Sequence, residues 1–310
     1  MSTPFSIPMK TRFRRVDTRE GMLLEGPCGW GEFSPFAEYP PQVSARWLDA
    51  AVEAATRPWP EPVRHRIPVN VTIPAVGPQQ AHDMAAASGC RTAKVKVAEP
   101  GQPPSADVER VEAVRDALGP QGRVRVDANG AWDVDTAARM IGALDAFDLE
   151  YVEQPCADLE QMALLRRRVD VPLAADESVR TAADPLRVAG LEAADLVVLK
   201  VQPLGGVWPA LRVAELAGLP AVVSSALETS IGIAAGVALA AALPELPYAC
   251  GLGTVLLLDG DVVADPLIPE DGHLTVRRPE VDRDLLATFE LHGAAATAWH
   301  TRMAAAEAAR

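Results

Sequence analysis

Short apolar runs, each ending in one polar side chain, recur along the middle of this chain. The runs AKVK, RVRVD, EYVE, PLAAD, LVVLK and AVVS end at Lys96, Asp127, Glu153, Asp176, Lys200 and Ser224. Successive run ends lie between 23 and 31 residues apart. One parallel strand with its returning helix and loops takes about 25–35 residues, so the rhythm predicts one βα unit per interval. Between the runs, PQQAHDMAAASG, SADVERVEAVRDALG, DVDTAARMIGALDAFD, DLEQMALLRRRV, DPLRVAGLEA and VWPALRVAELAG read as helices. Gly89 and Gly119 suit the C-caps of two of them. A first strand is expected at IPVNVTIP (67–74) and an eighth at YACGLGT (248–254). Eight such units close into a barrel whose active site lies at the C-terminal ends of its strands.

The flanks have a different texture. GMLLEGPCGWGEFSPFAEYPPQ places Gly and Pro between short apolar runs, and SARWLDAAVEAATR follows with helical periodicity and a Ser near its start. This predicts a small antiparallel sheet and a helix, joined to the barrel by the Pro-rich RPWPEPVRHRIP. After the eighth strand, LLLDGDVV has the form of a hairpin on an Asp-Gly turn, and PEDGHLTV a further turn and short strand. The expected fold class is α/β, a modified (β/α)8 TIM-type barrel with a small α+β capping domain. Residues 1–65 form the cap, 66–255 the barrel, and 256–310 a tail that packs back on the cap.

Composition narrows the function classes. With 310 residues, 49% hydrophobic and 23% charged, the chain has ample core for one barrel and a small extra domain. A net charge of -13 opposes phosphate backbones and anionic lipid surfaces, so neither nucleic acid nor membrane is an expected partner. The N-terminal MSTPFSIPMKTRFRRVDTREG scatters its charges and has no apolar core of a signal peptide. Cys28, Cys90, Cys156 and Cys250 lie far apart, with no metal-knuckle or disulfide spacing, which points to a reducing cytoplasm. The longest apolar stretch, IGIAAGVALAAAL at 231–243, is short of the roughly 20 residues that span a bilayer and reads as a buried helix.

The chemistry sits at the run ends. Asp127, Glu153 and Asp176 close three successive strands about 4.8 Å apart, so their oxygens can converge. Three converging carboxylates repel one another unless a cation lies among them. Hard oxygen donors without Cys or His favour Mg²⁺, although helix capping or pairing with Arg is the alternative for each one separately. Lys94 and Lys96 project to one face of their strand, and in a closed barrel Lys200 lies across from Lys96. A lysine beside a cation and a second amine has its neutral form favoured, as a general base requires; simple neutralisation of the carboxylates is the other reading. Metal and amine together point to proton abstraction α to a carboxylate.

TAKVKV, RVDANGAW, EYVEQP, LAADES and LKVQPLGG, in this order and spacing, resemble the enolase superfamily, muconate-lactonising-like branch. Members pair a Lys or His base with Mg²⁺. The resemblance implies Asp127, Glu153 and Asp176 as ligands of Mg²⁺ (Mn²⁺ as a substitute), Lys96 as the base, Lys94 orienting Lys96 and the substrate carboxylate, and Lys200 facing the other side of the substrate. Asn129 would support the ligand shell or serve as a turn residue. Glu177, next to Asp176, is expected to point the opposite way on its strand and is not counted.

Within the superfamily, His65, His82, His273, His292 and His300 all miss the expected ends of strands two to seven, unlike the His-base members. The last strand carries CGLGT without the Asp-x-Asp that receives a substrate ammonium in the dipeptide epimerases. The implied partner is therefore a small dicarboxylate without an amine, and the implied reaction a dehydration driven by aromatisation. Racemisation of a succinyl-bearing amino acid by the two lysines is the alternative, and a noncatalytic metal-stabilised barrel a third. SSALETSIG, with Ser224, Ser225, Ser230 and Gly232, offers hydroxyls and N–H groups at a helix start for a carboxylate, and ordinary N-capping explains the same residues equally well. Residues 29–36 of the cap are candidates for a loop closing over the site.

Overall fold

The computed structural model describes residues 2–13, 16–181 and 186–310. The first two residues of the helical stretch 184–193 lie outside them. An antiparallel meander opens the chain: β1 (Ser2–Phe13), β2 (Val16–Gly26) and β3 (Gly29–Phe33), paired in that order. Helix α1 (Pro41–Thr56) covers it. It begins at Pro41 and not beside Ser44, because proline's fixed φ and missing N–H suit the first helical position. Ala45, Leu48, Ala51 and Ala55 bury one face of α1. The N-terminal strand β1, which periodicity did not reveal, pairs with β2 along most of its length.

The barrel strands are β4 (Arg66–Pro68) running into β5 (Val71–Ile73), then β6 (Thr92–Lys96), β7 (Arg123–Asp127), β8 (Leu149–Glu153), β9 (Leu173–Ala175), β10 (Leu196–Leu199) and β11 (Ala221–Val223). From β5 to β11 they form one parallel sheet in chain order. The eighth position is an extended segment at 250–251. Cys250 bridges Val69, and Gly251 bridges Ser224, so both sheet edges meet there and the barrel closes. Helices α2 (Pro78–Ala87), α3 (Pro104–Leu118), α4 (Val134–Leu144), α5 (Leu159–Arg166), α6 (Glu177–Thr181), α7 (Leu186–Gly190), α8 (Val201–Leu204), α9 (Val207–Ala217) and α10 (Ser230–Ala242) alternate with the strands. Gly119, at φ 66, ends α3 in a conformation that costs glycine little.

Strand parity places the chemistry. Ala93, Val95, Val124, Val126, Val152, Val197 and Leu199 face outward into the main apolar core beneath the helices. Their neighbours face the barrel axis: Tyr151, Ala174, Leu196, Val198 and Val222 form a separate buried floor. Arg125 is fully buried beside this floor, stacked on the Tyr151 ring and donating to Tyr151 Oη and Ala249 O. Two residues further along each strand, the same parity puts Lys96, Asp127, Glu153, Asp176, Lys200 and Ser224 at the inward-facing rim.

The tail departs from expectation. LLLDGDVV forms no hairpin: Gly253–Leu257 is a 3-10 turn. Leu258 bridges Met9 of β1, and Val262 and Val263 are buried against the cap sheet, so these apolar residues gain more from that core than from pairing with one another. The next turn does lead to a short strand, β12 (His273–Thr275), which pairs with β4 at the base of the barrel. Helices α11 (Arg283–Phe289) and α12 (Gly293–Ala308) pack on β1, and α12 also on α1. Among the described residues, no helix is long and apolar enough to cross a membrane.

Gly31 marks the tightest approach in the cap, since a Cβ there would overlap the backbone carbonyl of Ala51. Gly31→Ala is expected to lower stability by about 1–3 kcal/mol, the usual cost of overpacking, read as a lower midpoint in chemical denaturation.

Candidate active site

Lys96, Asp127 and Glu153 stand level on adjacent strands, with Lys96 paired to Asp127 and Asp127 to Glu153. Asp176 and Lys200 are the first residues beyond β9 and β10. All five are buried, as is Lys94 one turn of the pleat below. Lys94 Nζ donates to both Glu153 oxygens, at 2.9 and 3.1 Å, and to Asp127 Oδ2 at 3.3 Å. Lys96 Nζ donates to Asp127 Oδ2 and, at 2.7 Å, to Asn129 Oδ1. Lys200 Nζ bonds Asp176 Oδ2 at 2.5 Å, an oxygen that also accepts from Arg180 at 3.0 Å.

These contacts set the ionisation of the cluster. Burial opposes the charge of Asp127 and Asp176, but the neighbouring cations outweigh it and hold both well below the ordinary carboxylate range: Lys96 and Lys94 for Asp127, Arg180 and Lys200 for Asp176. Glu153 goes the other way, pushed up to about 7 by burial and then by the Asp127 charge. Burial works against the charge of Lys94, yet Glu153 and Asp127 keep it raised. For Lys200, burial and then Arg180 bring the pKa below that of an ordinary lysine, while Asp176 pulls it back up.

Asn129 adopts a left-handed φ of 47° just past β7 and links Lys96 to Glu177 Oε1, to which its Nδ2 donates at 3.2 Å. Glu177 is not on a strand. It opens α6 and turns back to this rim, where Arg180 bonds it at 2.5 Å. Alternation along a strand therefore gave the wrong direction for its side chain.

The donor set suits a hard cation. Three buried carboxylates come from adjacent strands, and Asp176 Oδ1 is buried with no hydrogen-bond partner. Among the described residues, no three acidic, His or Cys side chains are drawn around one point, because the Lys94 ammonium stands between Asp127 and Glu153.

A narrow cavity joins the lysines to the cap. Thr72, Lys94, Lys96, Lys200, Ser224, Ser225, Ala226, Leu227, Gly251 and Thr254 line it from the barrel, Phe13 and Phe36 from the cap. Lys96 also opens onto an adjoining cavity of about 450 Å³ bordered by Arg12, Phe13, Gln102 and Asn129. Ser224 and Ser225 thus share the cavity with both lysines, whereas Ser230 and Gly232 do not. The start of α10 is already filled by the chain's own carboxylates. Glu32 accepts from the N–H groups of Thr229 (3.0 Å) and Gly232 (3.1 Å), and Asp261 from Ser230 N and Oγ. Of residues 29–36, Phe36 reaches the cavity, Glu32 is buried against the start of α10, and Ser34 is buried beside Glu32 and Arg19. Thr72 and Thr254 lie on the expected first and eighth strands, Thr72 level with Lys94, but were not singled out as site residues; Phe13, on the cap strand β1, has no relation to the barrel rhythm. Glu32 lies in GWGEF and Thr229 in SSALETSIG, but their pairing spans the two domains.

Glu32 is raised to about 7, by burial first and then by the Glu228 charge. The folded protein therefore holds this proton more tightly than the unfolded chain, and stability falls as pH rises from about 4.5 toward 7. Glu32→Gln should remove that part of the slope, seen as a smaller change in thermal midpoint across this window than in the wild type.

The Enolase C-terminal domain-like family matches residues 78–280 and the Enolase N-terminal domain-like family residues 5–55. The chain is 66% identical over 305 residues to the o-succinylbenzoate synthase of Thermobifida fusca (strain YX), covering 98% of this chain and 95% of that protein. It is 53% identical to the o-succinylbenzoate synthase of Mycolicibacterium smegmatis, over 92% of this chain and 88% of that protein. Among solved structures, the N-succinyl Arg/Lys racemase from Bacillus cereus superposes with a TM-score of 0.80 at 20% identity, covering 94% of this chain and 97% of that one. A muconate lactonizing enzyme from Pseudomonas fluorescens gives 0.80 at 22%, covering 94% and 98%. At that identity the two structures speak for the fold alone.

Proposed function

The chain belongs to the enolase superfamily, and from that premise we propose that it is a Mg²⁺-dependent o-succinylbenzoate synthase, a lyase of menaquinone biosynthesis in the cytoplasm. The observation that carries this reading is the match, over nearly the full length, to curated relatives of that name. The buried lysine and carboxylate rim supports the chemistry.

The proposed substrate is 2-succinyl-6-hydroxy-2,4-cyclohexadiene-1-carboxylate, a dicarboxylate without an amine. Asp127, Glu153 and Asp176 would hold Mg²⁺, with Mn²⁺ as a substitute. Bound there, the ion supplies Lewis-acid stabilisation of the negative charge that develops on the substrate carboxylate. Lys96 Nζ, as the neutral amine, takes the proton from the ring carbon that bears this carboxylate. The electron pair of that C–H bond becomes a ring double bond as the neighbouring C–O bond breaks. The departing hydroxide leaves as water with the proton carried by Lys96, and the ring is aromatic. Lys94 orients Lys96 and the carboxylate, Asn129 accepts from Lys96 and fixes its direction, and Lys200 as the ammonium offers a cation to the ring face. Ser224 and Ser225 border the space for the succinyl arm.

Racemisation of N-succinylamino acids is the second reading. One observation favours it: Lys200 shares the cavity with Lys96, and its pKa is lowered, which suits a group that exchanges a proton on the opposite face of a substrate.

An ultraviolet assay of dehydration beside a circular-dichroism assay of N-succinylamino acid racemisation separates the two. Fast dehydration with slow or no racemisation is expected; racemisation alone would overturn the substrate assignment while leaving the lysine roles. Lys96→Ala is expected to cut turnover by about 10²–10⁴-fold with the fold intact by far-ultraviolet circular dichroism. Unchanged turnover would remove Lys96 from the role of base. Chelation of divalent metal should abolish dehydration, and added Mg²⁺ should restore it.

A further inference from the structure

We propose that Arg19 of the cap is a positioning residue for this reaction, setting the cavity wall through the 226–227 turn and Phe36 without touching substrate. This role presupposes that the barrel rim is the reaction site. Arg19 lies on β2, is 3% exposed, and is absent from the lining of the cavity that holds the lysines. Its Nε donates to Leu227 O at 2.8 Å, and its Nη2 to Ala226 O at 3.2 Å. Nη2 also donates to Ser34 Oγ at 2.9 Å and to Ser34 O. The guanidinium stacks 4.8 Å from the centre of the Phe36 ring. Ala226, Leu227 and Phe36 all line the cavity beside Lys96 and Lys200, so one buried cation from the cap grips the wall on both the barrel and the cap side.

The turn it grips is strained. Leu227 has a φ of 67°, a left-handed conformation that a bulky side chain keeps only when its surroundings hold it. Leu227 is also 2% exposed and packed in the apolar cluster of the cap, so its side chain and its carbonyl are both anchored from the same domain. The Glu228 carboxylate accepts from Ala226 N and, with Glu32, lies close enough to balance the Arg19 charge. A lysine at this position keeps the charge but not the planar fork that reaches two carbonyls and Ser34 while stacking on a ring. The cap is thereby more than a cover: the shape of the barrel's own wall depends on a side chain from the other domain.

The test compares wild type, Arg19→Lys, Leu227→Gly and the double variant, by dehydration kinetics and by hydrogen exchange. Arg19→Lys is expected to raise KM by about tenfold or more with kcat within about threefold, as loss of binding shared by ground and transition states does. Amides of residues 225–228 should lose protection while those of the barrel strands keep it. In the Leu227→Gly background, where glycine takes a positive φ without help, Arg19→Lys should raise KM less than it does in the wild type. Unchanged KM, strictly additive effects, or protection lost evenly across the cap would overturn the proposal. Should Arg19→Lys not fold, Arg19→Gln, which keeps an N–H donor, takes its place with the same expectations. A wild type without turnover would overturn the reaction instead, and exchange at 225–228 would still decide the role of Arg19.

Discussion

Burying three carboxylates at one end of a barrel is the constraint on which the rest of this structure depends. Asp127 and Asp176 are fully buried and Glu153 nearly so. An uncompensated charge in such a place costs several kcal/mol. Compensation comes from Lys94, Lys96, Lys200 and Arg180, each within hydrogen-bond reach of at least one of the three. The pKa values then reflect burial and who sits beside whom: neighbouring cations outweigh burial and hold the two aspartates down, while burial and then the Asp127 charge raise Glu153. The rim thus sets amines and carboxylates side by side in a buried place, with their charges balanced among themselves.

The second consequence concerns the joint between cap and barrel. A helix start is usually available to an external anion, but α10 begins against Glu32 from the cap and Asp261 from the tail. These internal carboxylates satisfy its first N–H groups and tie three parts of the chain together. Arg19 adds the opposite charge to the same layer. Buried, fully hydrogen-bonded polar networks specify one packing arrangement, and this one links the cap to the Ala226–Leu227 turn and the start of α10.

Lysines on one cavity, here Lys94, Lys96 and Lys200, do not by themselves choose a reaction. Proton removal α to a carboxylate is common to dehydration and racemisation. The fate of the resulting carbanion depends on the leaving group and on which faces of the substrate the amines reach. The walls around the amines are Phe13 and Phe36 from the cap and Thr72, Ser224–Leu227, Gly251 and Thr254 from the barrel.

The barrel was legible in the chain because two periodicities are local. Alternation along each strand and the recurrence of one βα unit put Lys96, Asp127, Glu153, Asp176, Lys200 and Ser224 on one rim without any knowledge of what lies between them. Where local alternation stopped applying, the reading failed: Glu177 already belongs to a helix and turns back to the rim, and the apolar residues of LLLDGDVV bury against β1 instead of pairing as a hairpin. Only the tertiary structure decided that Glu32 and Asp261 occupy the start of α10, that Phe13 and Phe36 meet the lysines, and that Arg19 holds Leu227 in a left-handed turn. The physical reason is range: strand parity is set by neighbours two residues apart, whereas the bonds of Arg19 to Leu227 O and of Glu32 to Gly232 N join a cap side chain to backbone 208 and 200 residues away, which only packing of the cap on the barrel brings within hydrogen-bond distance.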